Sequence, residues 1–223
     1  MPGIQHAPGS DISSIRELLK IYAPGFAFLK ELLQNADDAG AERLRLAWTP
    51  GLNGVRHPLL TAPALIALND GRFTHGDRDG LMRMGLGNKG ANAGKIGKFG
   101  LGTKSIFHVA EAFFFLESGQ DADLRNILNP WSPRFHQDWD QVDEADWTTI
   151  DSVCRELGAG IQSWFAIWIP LRRLADLGET VPIVSGEAAF PGDESGCPAA
   201  LKAPFRHRNP RIGELLPLMR HLR

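Results

Sequence analysis

The sequence predicts an α+β fold built on an antiparallel or mixed sheet. Short apolar runs of strand length are interspersed with amphipathic stretches of helical period, and the two kinds do not follow a strict β-α-β alternation. The strongest runs, AFFFL at 112–116 and WFAIWIPL at 164–171, read as buried strands. They fall far short of the ~20 apolar residues needed to span a membrane. With 223 residues, 43% of them hydrophobic and 22% charged, the composition is that of an ordinary globular chain. Disordered, collagen-like and coiled-coil classes are thereby excluded, and a chain of this length buries roughly 70% of its unfolded surface.

Taken in order, Ser10 and Asp11 offer N-caps for a helix reaching about Tyr22, which Pro24-Gly25 then breaks. A second helix runs from about Phe26 to Ala39 and stops at Gly40, a residue type suited to a helix terminus. Arg43 to Trp48 alternates, with Leu44, Leu46 and Trp48 on one face, as a strand does. Residues 50–63 read as a loop, Ala64 to Leu68 as a short strand ending in the turn signal Asn69-Asp70-Gly71, and 77–85 as a short helix. The run GLGNKGANAGKIGKFGLG, with seven glycines, reads as a mobile loop. Thr103 to Ala110 returns to helix, 111–117 to strand, and Trp164 to Pro170 to strand. Between them, 118–160 is polar and acidic and reads as loops with short helices, anchored by Trp139 and Trp147. Beyond 174 the chain turns loop-like and closes on the amphipathic piece IGELLPLMRHL. These features suggest a main domain over 1–175 and a C-terminal extension, or the start of a following domain, over 176–223.

The formal net charge is -2, so no overall basic field argues for nucleic acid or an anionic membrane. Charge is nevertheless uneven. Residues 72–104 hold seven Lys/Arg against Asp77 and Asp79, which suits a small anionic ligand better than a long polyanion. Two cysteines, Cys154 and Cys197, cannot form a disulfide framework, and the chain's start has no signal-peptide pattern, so a reduced, cytoplasmic setting is expected. The seven histidines show no metal-ligand spacing.

Three segments carry candidate chemistry. In ELLQNADDAG, the residues Glu31, Asn35 and Asp38 recur at i, i+4 and i+7 and share one helical stripe, while Leu29, Leu32, Leu33 and Ala36 form the buried side. Asn is a poor mid-helix residue, and an oxygen ligand for magnesium is one reason for it to stand there. Glu31, one turn back, could then orient or deprotonate a water attacking phosphorus. A solvated polar face is the plainer reading of the same stripe. In LIALNDG, an apolar strand delivers Asp70 to its end, where the carboxylate could accept from an adenine amine or could serve as an ordinary turn residue. In GKIGKFGLGTKS, Gly97, Gly100 and Gly102 permit close backbone approach at a helix start that attracts phosphate, with Lys98 and Lys104 adding charge. This segment has neither the P-loop pattern nor the dinucleotide-binding context.

In this order and spacing the three segments resemble the GHKL ATPase superfamily, which includes gyrase, histidine kinases, MutL and the ninety-kilodalton heat-shock chaperone. The likeness is strongest to the chaperone and sacsin-like branch. ELLQNADDAG is similar to the family's ExxxNAxDA box, and IGKFGLGTKSIFHVAE to the branch's IGxFGxGxxSxFxVAD segment. The resemblance covers about residues 12–117 and, more loosely, the strand SWFAIWIPLR. It implies the Bergerat fold, a two-layer sandwich of helices on a mostly antiparallel sheet, binding ATP with Mg2+ and hydrolysing it slowly. By the same resemblance Glu31 is the general base, Asn35 the magnesium ligand, Asp38 the acid that buttresses the pocket and Asp70 the adenine reader. Residues 85–97 correspond to the ATP lid, in which Asn88 and Lys89 are weaker phosphate candidates. Gly97, Phe99, Gly100, Leu101, Gly102, Thr103 and Lys104 form the phosphate segment, and Ser163 stands where the family has a threonine before its last strand.

The sequence also departs from the family. DGRFT replaces the usual DxGxG after the adenine-reading acid, and no residue stands out as the Lys or Arg that such ATPases receive from a second domain. The resemblance thus implies one module of a longer protein, gating conformational change and forming an ATP-dependent homodimer. A client protein or nucleic acid remains an open partner. A DNA-associated clamp of the MutL or MORC type and a nucleotide-binding scaffold without turnover are the rival readings.

Overall fold

The computed structural model describes residues 10–21, 26–83, 101–119, 121–186, 189–202, 219 and 221–222. Two helices open it, α1 (Ser10–Ile21) and α2 (Phe26–Asp38). Strands β1 (Leu44–Thr49) and β2 (Ala64–Asn69) follow, then α3 (His75–Arg83) and a tight 3-10 helix, Leu101–His108. The rest comprises β3 (Phe113–Glu117), β4 (Asn126–Leu128), α4 (Glu144–Leu157), β5 (Phe165–Pro170) and the short α5 (Ala199–Lys202).

The expected α+β sandwich is present, and its five strands, in the order β1-β2-β5-β3-β4, pair antiparallel throughout. Register explains why β2, β3 and β5 are apolar without a break. Phe115 pairs with Ile167 and Ala67 with Ile167, so these residues share one face. Phe114, Trp168 and Ile66 share the other. On the first face Phe107 of Leu101–His108 packs on Phe113, and α1 and α2 pack on that tight helix. On the second, Phe114 meets Trp147 of α4 edge to face, and Arg45 of β1 donates to the Leu157 carbonyl at the end of that helix. A sheet buried on both sides has no polar face to display, so the period-two signal vanishes from its central strands. Burying each such Phe removes it from water for a gain of ~1.5–3 kcal/mol.

Helix α2 ends as its sequence predicts. Gly40 adopts φ 75°, its N–H bonds to the Asp37 carbonyl, and the Ala41 N–H reaches back to Ala36. This is the paired closure that satisfies the last carbonyls of a helix.

One expectation fails. Residues 118–160 are not merely loops with short helices, because α4 is a 14-residue helix. The Asp143 side chain accepts from the Asp146 N–H, and Glu144 and Asp146 place negative charge at the positive end of the helix. Trp147, Ile150 and Cys154 form the buried stripe. The acidity that suggested a solvated loop is the helix's own N-terminal chemistry. Trp139 and Trp147 do serve as anchors, both being buried.

Residues beyond 175 pack on the same core: Leu177 and Ile183 lie within the main buried cluster. Of the two thiols, Cys154 is fully buried, and burial pushes it up to about 12, while Cys197 is half-buried. No helix of the described residues is long and apolar enough to cross a membrane.

Candidate functional site

The stripe on α2 meets the GLGTK segment where Leu101–His108 begins. The Asn35 side chain, 7% exposed, donates from Nδ2 to Thr103 Oγ1 at 2.9 Å. One helical turn earlier, the half-buried Glu31 carboxylate lies directly against Gly102, so close that a Cβ at 102 would overlap it. The pattern GLGTK therefore has a local cause at this position, since only glycine leaves room for the carboxylate. Ser105 Oγ donates to the Gly102 carbonyl at 2.6 Å, which fixes the turn from inside. Burial lifts the Glu31 carboxyl above its ordinary 4.5, Lys30 pulls it back and the Asp38 carboxylate adds to the rise. Lifted in this way, the carboxylate is a better proton acceptor than a free one.

The other predicted residues divide. Asp38 is exposed on α2, whereas its neighbour Asp37 is 6% exposed and accepts backbone N–H bonds from His221 at 2.6 Å and Leu222 at 3.1 Å. Asp70 stands at the end of β2, and its Oδ1 accepts from the N–H groups of Glu42 and Arg43 at 2.8 and 2.9 Å. The turn role foreseen for Asp70 belongs to Asn69, whose Oδ1 accepts from Gly71 at 2.9 Å. The Arg72 N–H bonds to the Ala39 carbonyl, placing the Asp70 turn at the C-terminal end of α2. Thr103 and Lys104 are both buried, Leu101 opens the tight helix, and Ser163 is exposed just before β5. Asn88, Lys89, Gly97, Phe99 and Gly100, with the whole segment 85–97, lie outside the described residues.

Sequence reasoning missed what lies at the far end of the same tight helix. Arg172, 2% exposed, directs all five guanidinium N–H donors to partners. Nε donates to Glu111, Nη1 to the carbonyls of His108 at 3.0 Å and Ala189 at 2.7 Å, and Nη2 to those of Phe107 at 2.7 Å and Ala110 at 3.1 Å. Glu111, 4% exposed, also accepts from Trp131 Nε1 at 2.8 Å and from the Ile183 N–H at 3.0 Å. The only sequence signal was a pair of acid and base at the ends of apolar runs, in VAEAFFF and WIPLRR.

A cavity of about 350 Å³ lies elsewhere, between α4 and the end of β3, and none of the predicted site residues lines it. Its charges largely pair with one another, Arg125 with Glu144 and Arg155 with Asp151. Among the described residues no three His, Cys, Asp or Glu side chains converge as a metal cage.

The chain matches the Sacsin domain over residues 11–141. It belongs to the Sacsin domain family. Human Sacsin is 35% identical over a 119-residue alignment that covers 49% of this chain and 2% of that protein. The Sacsin match runs from α1 through the tight helix at 101–108 to Gln141, so it contains Glu31, Asn35, Asp70 and the Gly102–Thr103 contact.

Proposed function

We propose that this Sacsin domain is an ATP-binding module of GHKL type that requires Mg2+ and hydrolyses ATP slowly. The observation that carries the reading is the meeting of Glu31 and Asn35 with Gly102 and Thr103, two short motifs far apart in sequence. Magnesium would supply charge neutralisation on the phosphate oxygens, and it needs only one or two protein oxygens beside those phosphates and water. The residues fit that demand. With Nδ2 committed to Thr103, Asn35 keeps its Oδ1 as an acceptor at a buried position. Glu31, with its lifted carboxyl, takes a proton from the attacking water, and the Gly102 backbone leaves it the space to do so. Asp70 retains one carboxylate oxygen beyond the two backbone bonds made by Oδ1, and that oxygen is the acceptor for an adenine amine.

The chaperone-like machine, the homodimer and the client handler that the resemblance implies would all rest on chain outside this module. Calorimetric titration with Mg-ATP and Mg-ADP tests the reading. Heat of binding is expected, together with thermal stabilisation of ~2.7 kcal/mol at a hundredfold excess over Kd. No heat and no shift would overturn it.

A further inference from the structure

We propose that Arg172 is a positioning residue that ties the phosphate-side helix Leu101–His108 to the segment 177–186 and to Ala189. A change at Gly102–Thr103 would then be transmitted to the chain that follows β5. The proposal rests on the nucleotide reading for its ligand, but not for its geometry.

One guanidinium holds the carbonyls of Phe107, His108 and Ala110, where the tight helix ends, and also the Ala189 carbonyl. Its partner Glu111 takes the Ile183 N–H. The backbone of Arg172 joins in, donating to the Val109 carbonyl at 2.7 Å. Most of these bonds go to main-chain atoms, so they hold the path of the chain rather than any side-chain identity. A planar fork of five donors does this in a way an ammonium cannot. Buried, hydrogen-bonded ions cannot shift singly, because any partner left behind would be an unsatisfied buried charge. The helix end and the segment therefore move together or not at all. Opposite Glu111, Arg16 of α1 holds the carbonyls of Ile183, Pro182 and Val181 at 3.2, 2.9 and 3.2 Å. The Arg16 hydrogen bonds go to the segment and those of Arg172 also to the helix end, which separates docking of the segment from coupling through Arg172.

The test is amide exchange followed by mass spectrometry on the 223-residue chain, wild type and the variants Arg172→Lys, Glu111→Gln and Arg16→Gln, without ligand and with Mg-ADP as probe. Arg172→Lys and Glu111→Gln are expected to speed exchange about tenfold in both 101–110 and 177–186 while leaving β2 at the wild-type rate. Arg16→Gln is expected to loosen 177–186 alone. Mg-ADP should slow exchange in both segments of the wild type, and Arg172→Lys should weaken its affinity while Arg16→Gln leaves it unchanged.

If 101–110 keeps its wild-type rate in a folded Arg172→Lys or Glu111→Gln, the proposal is overturned. The same holds if Arg16→Gln loosens both segments equally. Should Arg172→Lys not fold, Glu111→Gln, which keeps the shape and an acceptor oxygen, decides. A wild type indifferent to Mg-ADP would overturn the nucleotide reading instead, and the ligand-free rates would still judge the tie.

Discussion

The two ends of one short helix are built in opposite ways. At its start, Gly102 and Thr103 meet a half-buried carboxylate and a carboxamide that each keep unused acceptor capacity. At its finish, Arg172 and Glu111 are almost wholly buried, and all five guanidinium donors are taken. Spare valence next to partial solvent access is what chemistry on a ligand requires. Complete satisfaction in a dry setting holds a backbone in place but leaves nothing with which to bind. The contrast shows why the chemistry is assigned to the α2 side and the anchoring to the β5 side, although both ends carry an acid.

The contrast can be broken from either side. Glu31→Ala should lower phosphate release by about 10²–10⁴-fold, the range for a lost general base, while leaving nucleotide affinity near wild type by calorimetry. Undiminished turnover would remove Glu31 from its role. At the other end, Arg172→Met leaves Glu111 buried without its counter-ion and should cost about 3–5 kcal/mol in denaturant unfolding. A variant as stable as wild type would show the pair to be dispensable.

Gly102→Ala pushes a methyl into the Glu31 carboxylate and should cost about 1–3 kcal/mol as well as nucleotide affinity. The Glu31 carboxyl must be ionised to accept a proton, so turnover should rise with pH through a midpoint above 4.5. A midpoint at or below that value would contradict the burial of this group.

The smallest expected effect concerns His57, away from both ends. Its Nδ1 accepts from the Leu59 N–H and its Nε2 faces the Trp139 carbonyl, an arrangement that suits the neutral ring. Burial holds its pKa below 6.5. The folded chain therefore binds fewer protons than the unfolded one in that window. Stability should be complete above pH 6.5 and fall as pH drops below it, by at most about 1.4 kcal/mol per unit. Urea unfolding at several pH values, with His57→Gln as reference, checks this.

Much of the fold was legible because local patterns fixed it. The apolar stripe of α2, its glycine stop and the apolar runs of β2, β3 and β5 all have short-range causes. Helix α4 was hidden because its capping acids look like solvated loop. The i, i+4 spacing of Glu31 and Asn35 predicted a shared stripe, and the structure brings that stripe to Gly102 and Thr103. The burial of Asp37 beside an exposed Asp38 was not legible. Asp37 accepts from the N–H groups of His221 and Leu222, and main-chain donors leave no mark in sequence. Arg172 escaped for the same reason: four of its five bonds go to carbonyls, which every residue has.

The contrast between the two thiols has a practical consequence. Cys154 is sealed on the buried face of α4 with a thiol at about 12, so a maleimide dye added near neutral pH would find only Cys197. That residue sits shortly after the stretch that Arg172 and Glu111 grip. These 223 residues thus already carry a single attachment point for a fluorophore or spin label, placed to report on motion of that stretch without any engineered cysteine.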